Sequence, residues 1–212
     1  MDTSPAIWGI VNVTPDSFSD GGQHATYPTA LAHARALVEE GADVLDIGGE
    51  STRPGAADVD VEAEIHRVAP VIQALARADG PCPLRVDTRK AAVAEAALES
   101  GATIVNDVSA GTHDPAMFET VARHGARIVL MHMQGTPGTM QTAPHYADVV
   151  AEVRAWLDSR ARAAVAAGVD PARIWVDPGI GFGKDLAHNV ALLADLEALV
   201  ADGRPVLLGT SR

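Results

Sequence analysis

The chain has 212 residues and a formal net charge of −12, with 47% hydrophobic but only 4% aromatic residues. That length supports one domain with a sizeable, mainly aliphatic core. The acidic balance opposes a broad phosphate-backbone footprint and the scarcity of aromatics opposes a base-stacking surface, so nucleic acid is not an expected partner. Cys82 stands alone, which excludes an internal disulfide. No apolar run approaches the roughly 18 residues of a membrane span, and the N-terminus lacks a basic-then-apolar leader. A cytoplasmic location without a membrane partner is the expectation.

Taken in chain order, an apolar strand over 7–12 is followed by a helix over 29–40, stopped by Gly41. A strand over 43–47, a helix over 60–78 and a strand over 84–87 come next. The plan repeats with a helix over 90–100 ending at Gly101, a strand over 103–106, a helix over 115–124 ending at Gly125 and a strand over 127–132. It closes with a helix over 145–167 ending at Gly168, a strand over 173–177, a helix over 187–201 and a strand over 205–209. Glycine just past a helix suits a left-handed C-terminal cap. Short, continuous, Val- and Ile-rich strands suit parallel strands buried on both faces. Strict alternation without a dinucleotide glycine fingerprint predicts an α/β fold of the (β/α)8 barrel type. No linker or low-complexity stretch divides residues 1–212, which are read as a single domain.

In such barrels the chemistry lies at the C-terminal ends of the strands. Here those ends carry Asn12, Asp46 with Glu50, Asp87, Asn106 with Asp107, His132, Asp177, and Thr210 with Ser211. Each residue alone has a plainer reading as a helix cap or turn. Asp87 would cap the helix starting near Lys90, Asn106–Asp107 would form an Asx turn, and Lys184 would be a solvated surface lysine. Met131 and Met133 suit either a soft wall beside a flat ring or plain barrel core. The glycines of "DPGIGFGK" lack P-loop spacing and suit close backbone approach to a flat ligand.

Two loops stand out, "NVTPDSFSDGG" at 12–22 and "GGESTRPG" at 48–55. With "VDTRKAAVAEAAL", "GATIVNDVSAG", "VLMHMQGTPGTMQ", "IWVDPGIGFGKDLAHN" and "LLGTSR" in this order, the chain resembles the dihydropteroate synthases over nearly its whole length. The resemblance implies condensation of a dihydropterin-methyl diphosphate with p-aminobenzoate, with sulfonamides as inhibitors and Mg²⁺ as cofactor. It implies that Asp87, Asn106 and Asp177 hold the amide-like edge of the pterin, with Met131 beside the ring. Carboxylates and an Asn suit that edge chemically, since the former accept paired N–H bonds and the latter both donates and accepts.

By the same resemblance Asn12 reaches the diphosphate and its Mg²⁺, and Thr52 and Arg53 contact the phosphate end. Phe18 and Pro54 line the p-aminobenzoate slot. Asp20 and Asp87 are the expected catalytic carboxylates, stabilising positive charge that develops when diphosphate leaves first. The family continues past "GTSR" with a Lys, a seventh helix, an eighth strand bearing Arg-x-His and an eighth helix. The sequence therefore reads as a barrel domain lacking its last strand and last two helices. A fragment of a longer protein, a barrel completed by a partner or second copy, and a pterin binder without turnover are the readings this leaves. A pterin-dependent methyltransferase domain is the lesser alternative, because it gives no reason for the two loops. A homodimer is one expected assembly.

Overall fold

The structure, a computed structural model, describes residues 4–14, 26–51, 58–77 and 82–210. Its elements alternate as the pattern predicts: β1 (Trp8–Asn12), α1 (Thr26–Glu39), β2 (Val44–Gly48), α2 (Val61–Arg77), β3 (Leu84–Asp87), α3 (Ala91–Glu99), β4 (Ile104–Asp107), α4 (Met117–His124), β5 (Arg127–Met131), α5 (Val149–Ala166), β6 (Ile174–Asp177), α6 (Leu186–Ala194) and α7 (Leu196–Val200). The α/β class follows directly.

The chain packs as two compact units, the first running to Val105 and the second from Asn106 onward, so the boundary falls inside β4. In the first unit the strand order is β1-β2-β3-β4, and β1, β2 and β3 pair in parallel. In the second unit the order continues with β5 beside β6, also parallel, with Met131 opposite Asp177.

Local sequence accounts for the elements. Along α2 the buried residues Glu64, Val68, Val71, Ile72 and Leu75 recur at helical spacing and form one core-facing stripe. Gly125 ends α4 in the left-handed conformation at φ 58°, and Gly41, Gly101 and Gly168 take positive φ after their helices as well. The Asp148 carboxylate caps α5 by accepting the Ala151 N–H at 3.0 Å. The core of the second unit joins Tyr146, Val149, Val153 and Leu157 to Val176, Leu192 and Leu199. Burying each large aliphatic side chain of this kind stabilises the fold by about 1.5–3 kcal/mol.

Two expected elements differ. The helix over 187–201 is two helices, because Asp195 (φ −115°, ψ 39°) leaves helical geometry between α6 and α7. The strand over 205–209 reduces to a single parallel bridge, Val176 to Val206. It keeps two ladder bonds, Val176 N–H to the Pro205 carbonyl at 3.0 Å and Leu207 N–H to the Val176 carbonyl at 2.8 Å. Among the described residues no strand pairs with its other edge, so no ladder propagates.

Candidate active site

In the first unit, register builds two polar layers. The pairing Asn12–Gly48–Asp87 puts these three residues side by side across β1, β2 and β3. Gly48 lacks a side chain between the two polar ones. A Cβ there would meet Asp87 Cβ at 3.6 Å and Asn12 Oδ1 at 3.8 Å, so both side chains border the space above the glycine. The N-cap of α3 is Lys90, with no side-chain cap bond, and Thr88 Oγ1 accepts the Lys90 N–H at 3.2 Å.

Two residues back along the same strands, Asp46 pairs in register with Arg85. Their Oδ1 and Nε lie 3.2 Å apart and both side chains are nearly inaccessible. Neither atom meets hydrogen-bond geometry with any described partner, so the contact is chiefly Coulombic. The Arg85 guanidinium also lies 4.5 Å from the Trp8 ring centre. Burial raises the pKa of Asp46, and the charge of Arg85 opposes that rise.

Beside these layers a charged cluster ties β2 to α2 and to the turn after β3. Glu50 accepts the Val59 N–H at 2.8 Å and pairs with Arg89 and Lys90, each at 3.2 Å. Lys90 also pairs with the fully buried Glu64 at 2.5 Å. Burial alone would raise the Glu50 pKa. The Val59 amide, Arg89 and Lys90 outweigh it and hold the carboxyl below its ordinary range.

In the second unit, Asn106 is the penultimate residue of β4, Met131 and Asp177 end β5 and β6, and all three are buried. Asn106 Oδ1 has no hydrogen-bond partner among the described residues. The Asx turn foreseen at 106–107 belongs to Asp107 alone. Asp107 accepts the Ser109 N–H at 2.8 Å, the Ser109 hydroxyl at 2.6 Å and the Gly111 N–H at 2.6 Å. Asn106 is thereby left for another task. Asp177 Oδ1 accepts the Gly179 N–H at 2.7 Å, and the Asp177 carbonyl accepts the His132 N–H at 2.9 Å. Met131 is packed at the wall beside Asp177, and Met133 is half-buried.

One residue departs from its plain sequence reading. Lys184 is 2% exposed. Its Nζ donates to His132 Nδ1 at 2.9 Å and to the carbonyls of Gly179 (3.0 Å), Phe182 (3.0 Å) and His132 (3.3 Å). Burial, then the Lys184 charge, lowers the His132 pKa to about 3, so its ring is neutral and accepts. Burial lowers Lys184 itself to about 7, opposed by Asp177. The lysine directly after a run of strand-end glycines is the one sequence signal that pointed to this. Nothing in the sequence signalled the Asp46–Arg85 pair.

The expected site residues Phe18, Asp20, Thr52, Arg53 and Pro54 lie outside the described residues. Of the others, the first unit brings Asn12 and Asp87 together and the second brings Met131 and Asp177 together.

Among the described residues, parallel strands carry acids, a methionine and an Asn whose Oδ1 has no partner at their C-terminal ends, the end where parallel α/β folds place their ligand sites. The family model for pterin binding enzymes matches residues 8–212. The dihydropteroate synthase of Mycobacterium leprae is 52% identical over 214 residues, covering 100% of this chain and 75% of that protein. The solved structure of Xanthomonas albilineans dihydropteroate synthase with 4-aminobenzoic acid superposes with a TM-score of 0.91 at 54% identity, covering 99% of this chain and 74% of that one. A second structure of the same enzyme holds 7,8-dihydropteroate, at a TM-score of 0.87 and 50% identity, covering 99% and 73%. The Yersinia pestis enzyme in a sulfonamide drug complex gives a TM-score of 0.91 at 45% identity, covering 98% and 74%. The chain belongs to the dihydropteroate synthase family, whose fold is the barrel that the alternating pattern predicts. No helix among the described residues is long and apolar enough to cross a membrane.

Proposed function

We infer that the chain is a transferase of folate synthesis, condensing (7,8-dihydropterin-6-yl)methyl diphosphate with p-aminobenzoate to give 7,8-dihydropteroate. Alongside the family relationship, the observation that carries this is the buried Asn106 Oδ1, without a partner among the described residues, in the sheet whose next strands end in Met131 and Asp177. A buried acceptor without a partner costs about 1–3 kcal/mol, which a ligand N–H recovers. The N–H groups of a pterin's amide-like edge suit Asn106 and the Asp177 carboxylate, and Met131 offers a polarizable apolar wall to the ring.

In the reaction, the bond from the pterin methylene to the diphosphate oxygen breaks, and the electron pair leaves with diphosphate. The amine nitrogen of p-aminobenzoate then forms the new C–N bond and loses a proton. Asp87 and Asp20 stabilise the positive charge that develops on the pterin methylene. Thr52 and Arg53 hold the phosphate end, Arg53 by bidentate donation. Phe18 and Pro54 flank the amine slot, where sulfonamides compete.

Magnesium belongs to the same proposal. Asn12 exposes its side chain at the end of β1, beside Asp87 over Gly48. Among the described residues no group of three His, Cys, Asp or Glu could hold a metal ion. A single amide oxygen fits an ion that keeps several waters and takes substrate phosphate oxygens. When bound, the ion neutralises charge on the leaving diphosphate. Asn12→Ala should weaken binding of the Mg²⁺–diphosphate substrate and spare a diphosphate-free dihydropterin. Equal loss of both would remove the metal role. A diphosphate leaving group, cytoplasmic residence and a homodimer complete the proposal as features common to the family.

The direct test incubates the chain with the dihydropterin diphosphate, p-aminobenzoate and Mg²⁺ and follows dihydropteroate. Product above background, lost in Asp177→Asn, supports synthesis. Bound dihydropterin without product makes the chain a binder and refutes turnover.

A further inference from the structure

We propose that Lys184 is a positioning residue for the pterin site, orienting Asp177 through the Gly179 peptide. This rests on the reading of Asp177 as a pterin-binding carboxylate. The Gly179 peptide is held from both sides. Its N–H donates to Asp177 Oδ1 at 2.7 Å, and its carbonyl accepts from Lys184 Nζ at 3.0 Å. The same ammonium grips the His132 carbonyl at the end of β5 and the Phe182 carbonyl farther along the loop after β6. One cation therefore pins the 178–183 loop against the neighbouring strand end and sets the angle at which the Gly179 N–H meets Asp177.

Space around the loop leaves no substitute for this tie. A Cβ on Gly179 would overlap the His132 carbonyl, and one on Gly183 would lie 2.7 Å from the Gln134 carbonyl oxygen. The loop backbone thus packs directly on the 132–134 backbone, where carbonyls crowd together and need a donor between them. Tyr146 adds one peripheral tie, its hydroxyl donating to the Gly183 carbonyl at 2.8 Å. Among the described residues, only Lys184 reaches three backbone carbonyls and a ring nitrogen here from inside.

The charged and titratable groups around Lys184 are few. His132 faces it from β5 and is neutral above about pH 3. Asp177 faces it from β6. Tyr146, raised by burial to about 12, stays protonated, and His188 on α6 stacks on Tyr146 with ring centres 4.8 Å apart. Asp185 lies beside His188, at 3.0 Å.

The experiment is a double-mutant cycle on the full chain, read as the Kd for 6-hydroxymethyl-7,8-dihydropterin and the KM of each substrate. Lys184→Met should weaken dihydropterin binding about tenfold, the effect of losing one buried charged hydrogen-bond partner. It should raise the KM of the pterin substrate and leave that of p-aminobenzoate unchanged. In an Asp177→Asn background the same substitution should have little further effect, because coupled residues are non-additive. Additive losses, or unchanged pterin binding in a folded Lys184→Met chain, overturn the proposal. Unchanged binding in Asp177→Asn alone overturns the pterin-site reading instead. Should Lys184→Met fail to fold, the unsubstituted chain and His188→Gln are titrated from pH 6 to 9. Dihydropterin affinity should fall in both as Lys184 loses its proton, and a flat profile overturns the proposal.

Discussion

Replacing Gly179 by alanine tests the packing that shapes the proposed pterin site. Gly179 has φ 67°, where a non-glycine residue costs about 1–2 kcal/mol. The added Cβ would overlap the His132 carbonyl oxygen and sit 3.1 Å from its carbon and 3.3 Å from Met131 Cγ. The first neighbour is backbone at the end of a buried strand, so the loop must lift by about an ångström, the interior being close-packed. That movement breaks the 2.7 Å bond from Gly179 N–H to Asp177 and the 3.0 Å bond from Lys184 to the Gly179 carbonyl. Each lost buried bond leaves a group unsatisfied at about 1–3 kcal/mol, so the two together with the strain give about 3–8 kcal/mol. For a chain of this length that lowers Tm by about 6–32 °C. Dihydropterin affinity should fall at least about a hundredfold, the equivalent of roughly 3 kcal/mol. Thermal melts and calorimetric titration with 6-hydroxymethyl-7,8-dihydropterin read both effects. A Gly179→Ala chain that melts with the parent and binds dihydropterin as tightly would refute the reasoning.

Two further predictions concern buried charge. Arg85→Met strands the Asp46 carboxylate, and since the partners are 3% and 11% exposed the loss should be about 3–5 kcal/mol in urea unfolding at pH 7. The Asp46 pKa, already raised, climbs further without Arg85, so the gap to the parent should narrow as pH falls and the group takes a proton. A gap independent of pH would show that the pair is not ionic, and adding Asp46→Leu should restore most of the loss. His132, lowered to about 3 in the fold, takes up a proton only in the unfolded chain between that value and about 6.5. Stability should therefore fall on acidification below pH 6.5, by up to about 1.4 kcal/mol per pH unit. His132→Asn should flatten urea midpoints measured at pH 7, 6 and 5, and an unaltered slope would mean that His132 titrates normally.

Much of this protein was legible residue by residue. Helix stops at Gly41, Gly101, Gly125 and Gly168, short apolar strands, buried throughout in β2 and β4 but half exposed in β1, and the order of strand-end motifs all act over a few residues. Such signals survive without knowledge of what packs where. The same holds for Asp87, Asn106 and Asp177 as polar residues at or next to strand ends, since position and residue type already separate them from the apolar strands behind.

What the tertiary structure decided is which polar groups lose water and which meet. Lys184 reads locally as a surface lysine, yet it is buried between His132 and its own loop, where the His132 ring and the carbonyls of His132, Gly179 and Phe182 give it four acceptors. Asp46 and Arg85 lie far apart in sequence and become partners only through the parallel register of β2 and β3. Asp107 and Asn106 are adjacent, yet the turn satisfies one and leaves the Oδ1 of the other without a partner among the described residues. Propensity and periodicity are properties of neighbours along the chain. Desolvation and charge pairing are properties of neighbours in space, and register and packing create those only once the strands are in place.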